Sequence, residues 1–185
     1  MTITRTPAVN LPWNGKMDTR IFLIGFMGSG KSTLGAKLAR RIGYQFLDMD
    51  QLIEETAEMS IPSIFEEHGE EVFRKWEHDI LLELCTREKL VIATGGGAPC
   101  HSQIMDLMNS HGTTIYIHLP PEALRDRLIR SRTKRPLIQG KSESELLEFI
   151  VSLLQKREVF YKQATHTVDG IKLQTETLVR LLRDS

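Results

Sequence analysis

The sequence predicts an α/β domain in which helices cover both faces of a parallel sheet. Two observations carry that prediction. Short apolar runs at 21–24, 90–94 and 113–119 alternate with longer stretches of helical periodicity, the pattern of strand and crossover helix repeated along a chain. The runs at 21–24 and 90–93 are also continuously apolar, as suits strands buried on both faces. At 185 residues, the chain is the size of one domain with a full core.

Residues 1–19, with Pro7, Pro12, Asn14 and Gly15, show neither period and read as a disordered N-terminal tail, leaving 20–185 as the single domain. Met17 stands just ahead of the first strand, so a start there would still yield the whole domain. After the strand at 21–24 comes a glycine-rich turn. Leu34, Leu38 and Ile42 then mark an amphipathic helix that ends at Gly43. A second short strand occupies 44–48, and helical patterns fill 50–58 and 61–87, the latter opened by Ser60 and Pro62. The third strand, 90–94, stops abruptly at Gly95-Gly96-Gly97. A helix at 102–110 leads to a fourth strand at 113–119, rich in β-branched residues, and Pro120-Pro121-Glu122 opens the next helix. Ser142 and Glu145 fit a capping box for a long helix to about Gln163. A last strand near 166–168 and a terminal helix complete the domain.

The first turn, Gly25-Phe26-Met27-Gly28-Ser29-Gly30-Lys31-Ser32, matches the phosphate-binding pattern G-x-x-x-x-G-K-[ST] between a strand and a helix. Its glycines let successive N–H groups turn inward on an anion, and the helix adds the positive end of its dipole. The expected ligand is a nucleoside triphosphate, with Lys31 on the β- and γ-phosphates and the Ser32 hydroxyl on the bridging Mg²⁺.

Composition excludes several other classes. The 24 basic and 24 acidic residues give a formal net charge of zero, so nothing global attracts nucleic acid or an anionic membrane. Cys85 and Cys100 are too few for a disulfide framework, which points to reduced thiols and a cytoplasmic protein. No apolar run approaches a membrane span or a secretory signal.

Four further constellations carry chemistry. Asp48 and Asp50, two apart at a strand end, would share a face if extended geometry continues, one serving a metal through water and the other an acceptor hydroxyl; alternatively Asp50 caps the following helix. Arg74 and Glu77 are neighbours at i and i+3, either as a solvent-exposed ion pair or as a braced guanidinium fork for a substrate carboxylate. Gly95, Gly96 and Gly97 permit a flat ligand to approach the backbone, or form a plain turn. The basic stretch 125–141, containing Arg127, Arg130, Arg132, Lys134 and Arg135, reads as a solvated face, a lid over the transferring phosphate, or least readily a nucleic-acid contact.

Together, G-F-M-G-S-G-K-S at 25–32, L-D-M-D at 47–50, F-R-K-W-E at 73–77, T-G-G-G at 94–97 and R-P-L-I at 135–138 resemble shikimate kinase, and the likeness spans 20–185. The resemblance implies a P-loop NTPase fold of the nucleoside-monophosphate-kinase type: a three-layer sandwich around a five-stranded parallel sheet in the order 2-3-1-4-5. It also implies that ATP phosphorylates the 3-hydroxyl of shikimate, giving 3-phosphoshikimate and ADP on the route to chorismate and the aromatic amino acids.

By the same resemblance, Gly28, Ser29, Gly30, Lys31, Ser32, Thr33 and Arg135 bind the nucleotide, and Ser32 and Asp48 serve Mg²⁺. Lys31, Asp50 and Arg135 are the catalytic candidates, Arg135 lying on a lid at about 130–141. Asp50 would bind the shikimate hydroxyls, while Arg74 and Arg157 grip its carboxylate and Glu77 supports Arg74. Gly96 and Gly97 would line the ring, with Phe65 and Phe73 as apolar walls. The partners implied are shikimate and ATP, for a monomer without nucleic acid or membrane. Family members carry an adenine-contacting arginine upstream of the lid arginine; Arg127, Arg130 and Arg132 all stand near that place. No aspartate closes the third strand, where many P-loop enzymes keep one; Thr94 and the glycines stand there instead. Rival readings are a gluconate or nucleoside-monophosphate kinase of the same fold, or a nucleotide-binding regulator that transfers nothing.

Overall fold

The computed structural model describes residues 19–101, 103–131 and 136–184. The expected tail, apart from Thr19, lies outside these residues, as do Arg132, Lys134 and the lid candidate Arg135. Five strands, β1 (Arg20–Ile24), β2 (Gln45–Asp48), β3 (Leu90–Ala93), β4 (Thr113–His118) and β5 (His166–Asp169), form one sheet in the order β2-β3-β1-β4-β5. All four pairings are parallel, Ile21 lying opposite both Val91 and Thr113. This is the expected order, and it follows from helices that return the chain to the same edge after each strand.

Alternation along β1 divides the core. Phe22 and Ile24 face a large cluster with Ile92, Tyr116, Leu81 and Ile150, while Ile21 and Leu23 face a smaller one with Leu38, Val91, Ile115 and Leu178. The smaller cluster is covered by α1 (Lys31–Ile42) and α7 (Thr175–Arg183), the larger by α2 (Met49–Ala57), α3 (Ile61–Cys85), α4 (Ile104–His111), α5 (Pro121–Arg130) and α6 (Glu143–Tyr161). All of Ile21 to Ile24 are fully buried, which is why that run needs no polar face.

The predicted capping box closes α6: Ser142 N donates to Glu145 Oε2 at 2.8 Å, and Glu145 N donates to Ser142 Oγ at 3.4 Å. A 3₁₀ turn at Ala98–Cys100 precedes the helix expected around 102–110, and α4 runs from Ile104. The long helix expected over 61–87 is broken at Gly69, whose φ of 80° and ψ of 173° lie outside any helix. Glycine alone takes that conformation readily, so the break belongs to this residue. It turns the segment bearing Phe65 against the segment bearing Phe73, and the two rings meet at 4.7 Å between centroids.

Candidate active site

The carboxyl ends of β1, β2 and β3 converge on one crevice, as parallel α/β sheets dictate. At its floor the turn after β1 curls through positive φ at Gly25, Gly28 and Gly30, and α1 begins at Lys31. The first-turn amides of α1 have no carbonyl within the helix to satisfy them. Those amides include Ser32 and Thr33, whose side chains are exposed. Lys31 Nζ donates to the carbonyls of Gly25 at 2.8 Å and Phe26 at 3.1 Å. Ser29 Oγ is buried with no hydrogen-bond partner among the described residues. A buried hydroxyl inside a ring of amides is a poor place for an apolar ligand and a good one for phosphate oxygens.

Asp48 ends β2 and caps α2, accepting from the Asp50 amide at 3.1 Å on Oδ1 and from the Ser32 hydroxyl at 2.5 Å on Oδ2. This corrects the alternatives read from spacing. The helix begins at Met49, so extended geometry does not continue, and the cap is Asp48 rather than Asp50. Asp50 instead rides the first helical turn. Burial, reinforced by the charge of Asp48 and opposed by Lys31, raises its carboxyl above the ordinary range. Ser32 and Asp48 together offer the hard oxygen donors that suit Mg²⁺ beside phosphates.

On α3, Arg74 donates from Nη1 to Glu77 Oε2 at 2.8 Å, and from Nε and Nη2 to Glu70 Oε1 at 3.2 and 3.0 Å. Glu77 is only 2% exposed, so the reading of a solvent-exposed pair does not hold. Spacing at i and i+3 says that two residues adjoin, not which side of the helix is inside. Burial pushes the Glu77 carboxyl up, and the Arg74 guanidinium pulls against it. Phe73 is 4% exposed, and its ring centroid lies 5.1 Å from the Arg74 guanidinium carbon; Phe65, packed on Phe73, is 36% exposed.

Arg157 arrives from α6, far along the chain. A Cβ at Gly97 would meet Arg74 Nη2 and Nη1 at 3.0 and 3.2 Å and Arg157 Nη2 at 3.5 Å; one at Gly96 would meet Arg157 Nη1 at 3.5 Å. The structure therefore brings Arg74, Arg157, Gly96 and Gly97 together, with Asp50 and Glu77 beside Gly95.

Phe26 and Tyr161 were given no role in the sequence reading, and Gly95 was named there only as one of its triplet. Gly95 has the tightest surroundings of the triplet, since a Cβ there would stand 2.6 Å from Asp50 Oδ1. Phe26 lies under Arg157, with 5.9 Å between its ring and the guanidinium carbon. Tyr161 donates to the Gly96 carbonyl. An aromatic side chain inside the P-loop was the one available signal for Phe26. Of the three arginines near the expected adenine contact, Arg127 bonds the P-loop, donating to the carbonyls of Ser29 and Gly170, each at 2.9 Å.

Such a site, with a P-loop on one side of the crevice and a cation pair over a glycine loop on the other, defines a P-loop small-molecule kinase. The family model for shikimate kinase matches residues 27–184. A shikimate kinase of Bacteroides fragilis is 45% identical over 168 residues, covering 89% of this chain and 94% of that one. The crystal structure of shikimate kinase from Bacteroides thetaiotaomicron superposes with a TM-score of 0.84 at 40% identity, covering 90% of this chain and 97% of that one. The shikimate kinase of Acinetobacter baumannii, solved in complex with shikimate, gives 0.78 at 34% identity over 90% and 93%. The chain belongs to the shikimate kinase family and is an ATP-dependent kinase acting on an alcohol.

Proposed function

We propose that this chain moves the γ-phosphoryl group of ATP directly to the 3-hydroxyl of shikimate, a step toward the aromatic amino acids. The convergence of Arg74 and Arg157 over Gly97, with Asp50 and the P-loop beside the same glycine triplet, carries the assignment. Two guanidiniums over a surface without side chains suit a carboxylate on a flat ring, and an acid beside them suits the ring's hydroxyls.

Arg74, braced by Glu77, and Arg157 hold the acceptor carboxylate, with Gly96 and Gly97 against the ring and Phe65 and Phe73 as walls. Asp50 accepts the 3-hydroxyl hydrogen bond and orients that oxygen for in-line attack. Gly28, Ser29, Gly30, Ser32 and Thr33 surround the phosphates of ATP, and Lys31 reaches the transferring group from beside them. Ser32, and Asp48 through water, would hold Mg²⁺, which when bound with ATP neutralises charge on the β- and γ-phosphates. Arg135, outside the described residues, is the lid cation assigned to stabilise charge on the transferring group. Arg127, already fixed to the P-loop, borders the base of the nucleotide. Among the described residues no helix is long and apolar enough to cross a membrane, and the enzyme works as a cytoplasmic monomer without nucleic acid.

The test is ADP release from Mg²⁺-ATP with shikimate, gluconate, nucleoside monophosphates or no acceptor. Turnover is expected with shikimate alone. Release with another acceptor would overturn the substrate pocket but leave the P-loop chemistry standing, whereas silence with all of them would favour a regulator.

A further inference from the structure

Tyr161 closes α6, is fully buried, and donates its hydroxyl to the Gly96 carbonyl at 2.5 Å. One helical turn earlier on the same helix stands Arg157. The hydroxyl thus ties the helix that carries Arg157 to the glycine loop. Burial raises the phenol well above its ordinary range, so the proton it donates stays in place at working pH.

A trans peptide holds its C=O and N–H on opposite sides. With the Gly96 carbonyl drawn down to Tyr161 in the core, the Gly97 N–H of the same peptide turns away from the core. That N–H has no acceptor among the described residues. The terminal nitrogens of Arg74 and Arg157 are the nearest atoms to a Cβ built on Gly97. A neutral donor and two cationic forks thus border the same stretch of loop, a grouping that suits a single carboxylate.

We infer that Tyr161 is a positioning residue for the acceptor: it fixes the Gly96–Gly97 peptide so that the Gly97 N–H meets the acceptor carboxylate, and it registers Arg157 against the same loop. The inference rests on the reading of Arg157 as a carboxylate ligand.

Tyr161→Phe removes one oxygen and keeps the ring that packs on Tyr116 at 5.1 Å between centroids. The shikimate KM should rise about tenfold, the effect of misaligning one charge-assisted hydrogen bond, while the ATP KM stays within about twofold. A purely structural tyrosine would instead lower the melting temperature and leave both KM values unchanged, which would overturn the inference. Arg157→Ala, assayed in parallel, separates the two ideas. An unchanged shikimate KM in Arg157→Ala sinks the reading of Arg157 itself. A large rise there with none in Tyr161→Phe sinks only the role of Tyr161. A measurement on the native enzyme does not depend on either variant folding. Shikimate added without nucleotide should move the Gly97 amide resonance downfield in a ¹⁵N-edited spectrum, and an unmoved resonance at saturation refutes the contact.

Discussion

Replacing Gly95 with alanine should cripple turnover while leaving nucleotide binding intact. The new Cβ would stand 2.6 Å from Asp50 Oδ1 and 3.0 Å from Glu77 Oε1, whereas carbon and oxygen settle at about 3.3 Å or more. The Asp50 carboxylate must therefore retreat by roughly 0.7 Å and Glu77 by roughly 0.3 Å. A misplacement of about 1 Å costs on the order of a hundredfold in rate, so kcat should fall some 30- to 100-fold, or about 2 to 2.7 kcal/mol of barrier. Glu77 has no solvent to move into, and its shift drags the Arg74 fork, so the shikimate KM should rise several-fold as well. Overpacking of this kind costs about 1–3 kcal/mol of stability, visible as a lower melting temperature. The assay is steady-state ADP release, with ADP affinity measured separately by calorimetry. A folded variant with kcat within about threefold of the native value would refute the placement of Asp50 at the reacting hydroxyl.

Arg74→Ala removes half of the carboxylate clamp and leaves Glu77 buried without its cation. Truncating such a pair costs about 2–5 kcal/mol, so the shikimate KM should rise at least about thirtyfold with little change for ATP; equal effects on both would argue against a clamp. Arg135→Ala should lower kcat by about 10³–10⁵, as loss of an arginine finger does elsewhere, and near-normal turnover would remove Arg135 from the mechanism. Only the ionised Asp50 carboxylate can take the hydroxyl proton, and its pKa is raised, first by burial and then by the charge of Asp48. Activity should therefore fade as pH drops through that raised value, placing the acid limb of kcat/KM above the ordinary aspartate range. A limb at or below the ordinary carboxylate range would contradict the environment assigned to Asp50.

Much of the fold was legible because its signals are local. A run such as Ile21 to Ile24 is buried on both faces and reads as a strand from four residues. The capping box of α6 and the P-loop are equally self-contained. The sheet order was not read from periodicity; it came with the family resemblance. The errors share a cause, in that the answer depended on geometry a few residues away. Asp48 and Asp50 have strand spacing, but a helix begins between them, and the cap went to the first acid rather than the second. The break at Gly69 sits within a pattern that stays helical on both sides, so one glycine was bridged over. Gly95 looks like its neighbours in sequence and differs only in having two carboxylates against it. Tyr161 reads as the end of a helix until the loop after β3 is seen beneath its hydroxyl.

The strand order also explains why a neutral chain can bind two anionic substrates side by side. With β1 at the centre, the P-loop sits at the middle of the sheet's carboxyl edge. Asp48 follows β2 and Gly95 follows β3, both on one side of that loop, and α2 and α3 add Asp50, Arg74 and Glu77 there. Gly170 follows β5 on the other side, and Arg127 ties it to Ser29. On the proposed assignment, acceptor and nucleotide take opposite flanks and meet at the tip of β1, near the change in strand order where such folds bind ligands. The same division sorts the charge. Arg74 is offset by Glu70 and Glu77, so the acceptor flank presents a directional fork rather than a diffuse positive field. Selectivity in that half then comes from where donors point, which is why a change as small as one Cβ at Gly95 or one oxygen at Tyr161 should be felt in the kinetics of shikimate and not in those of ATP.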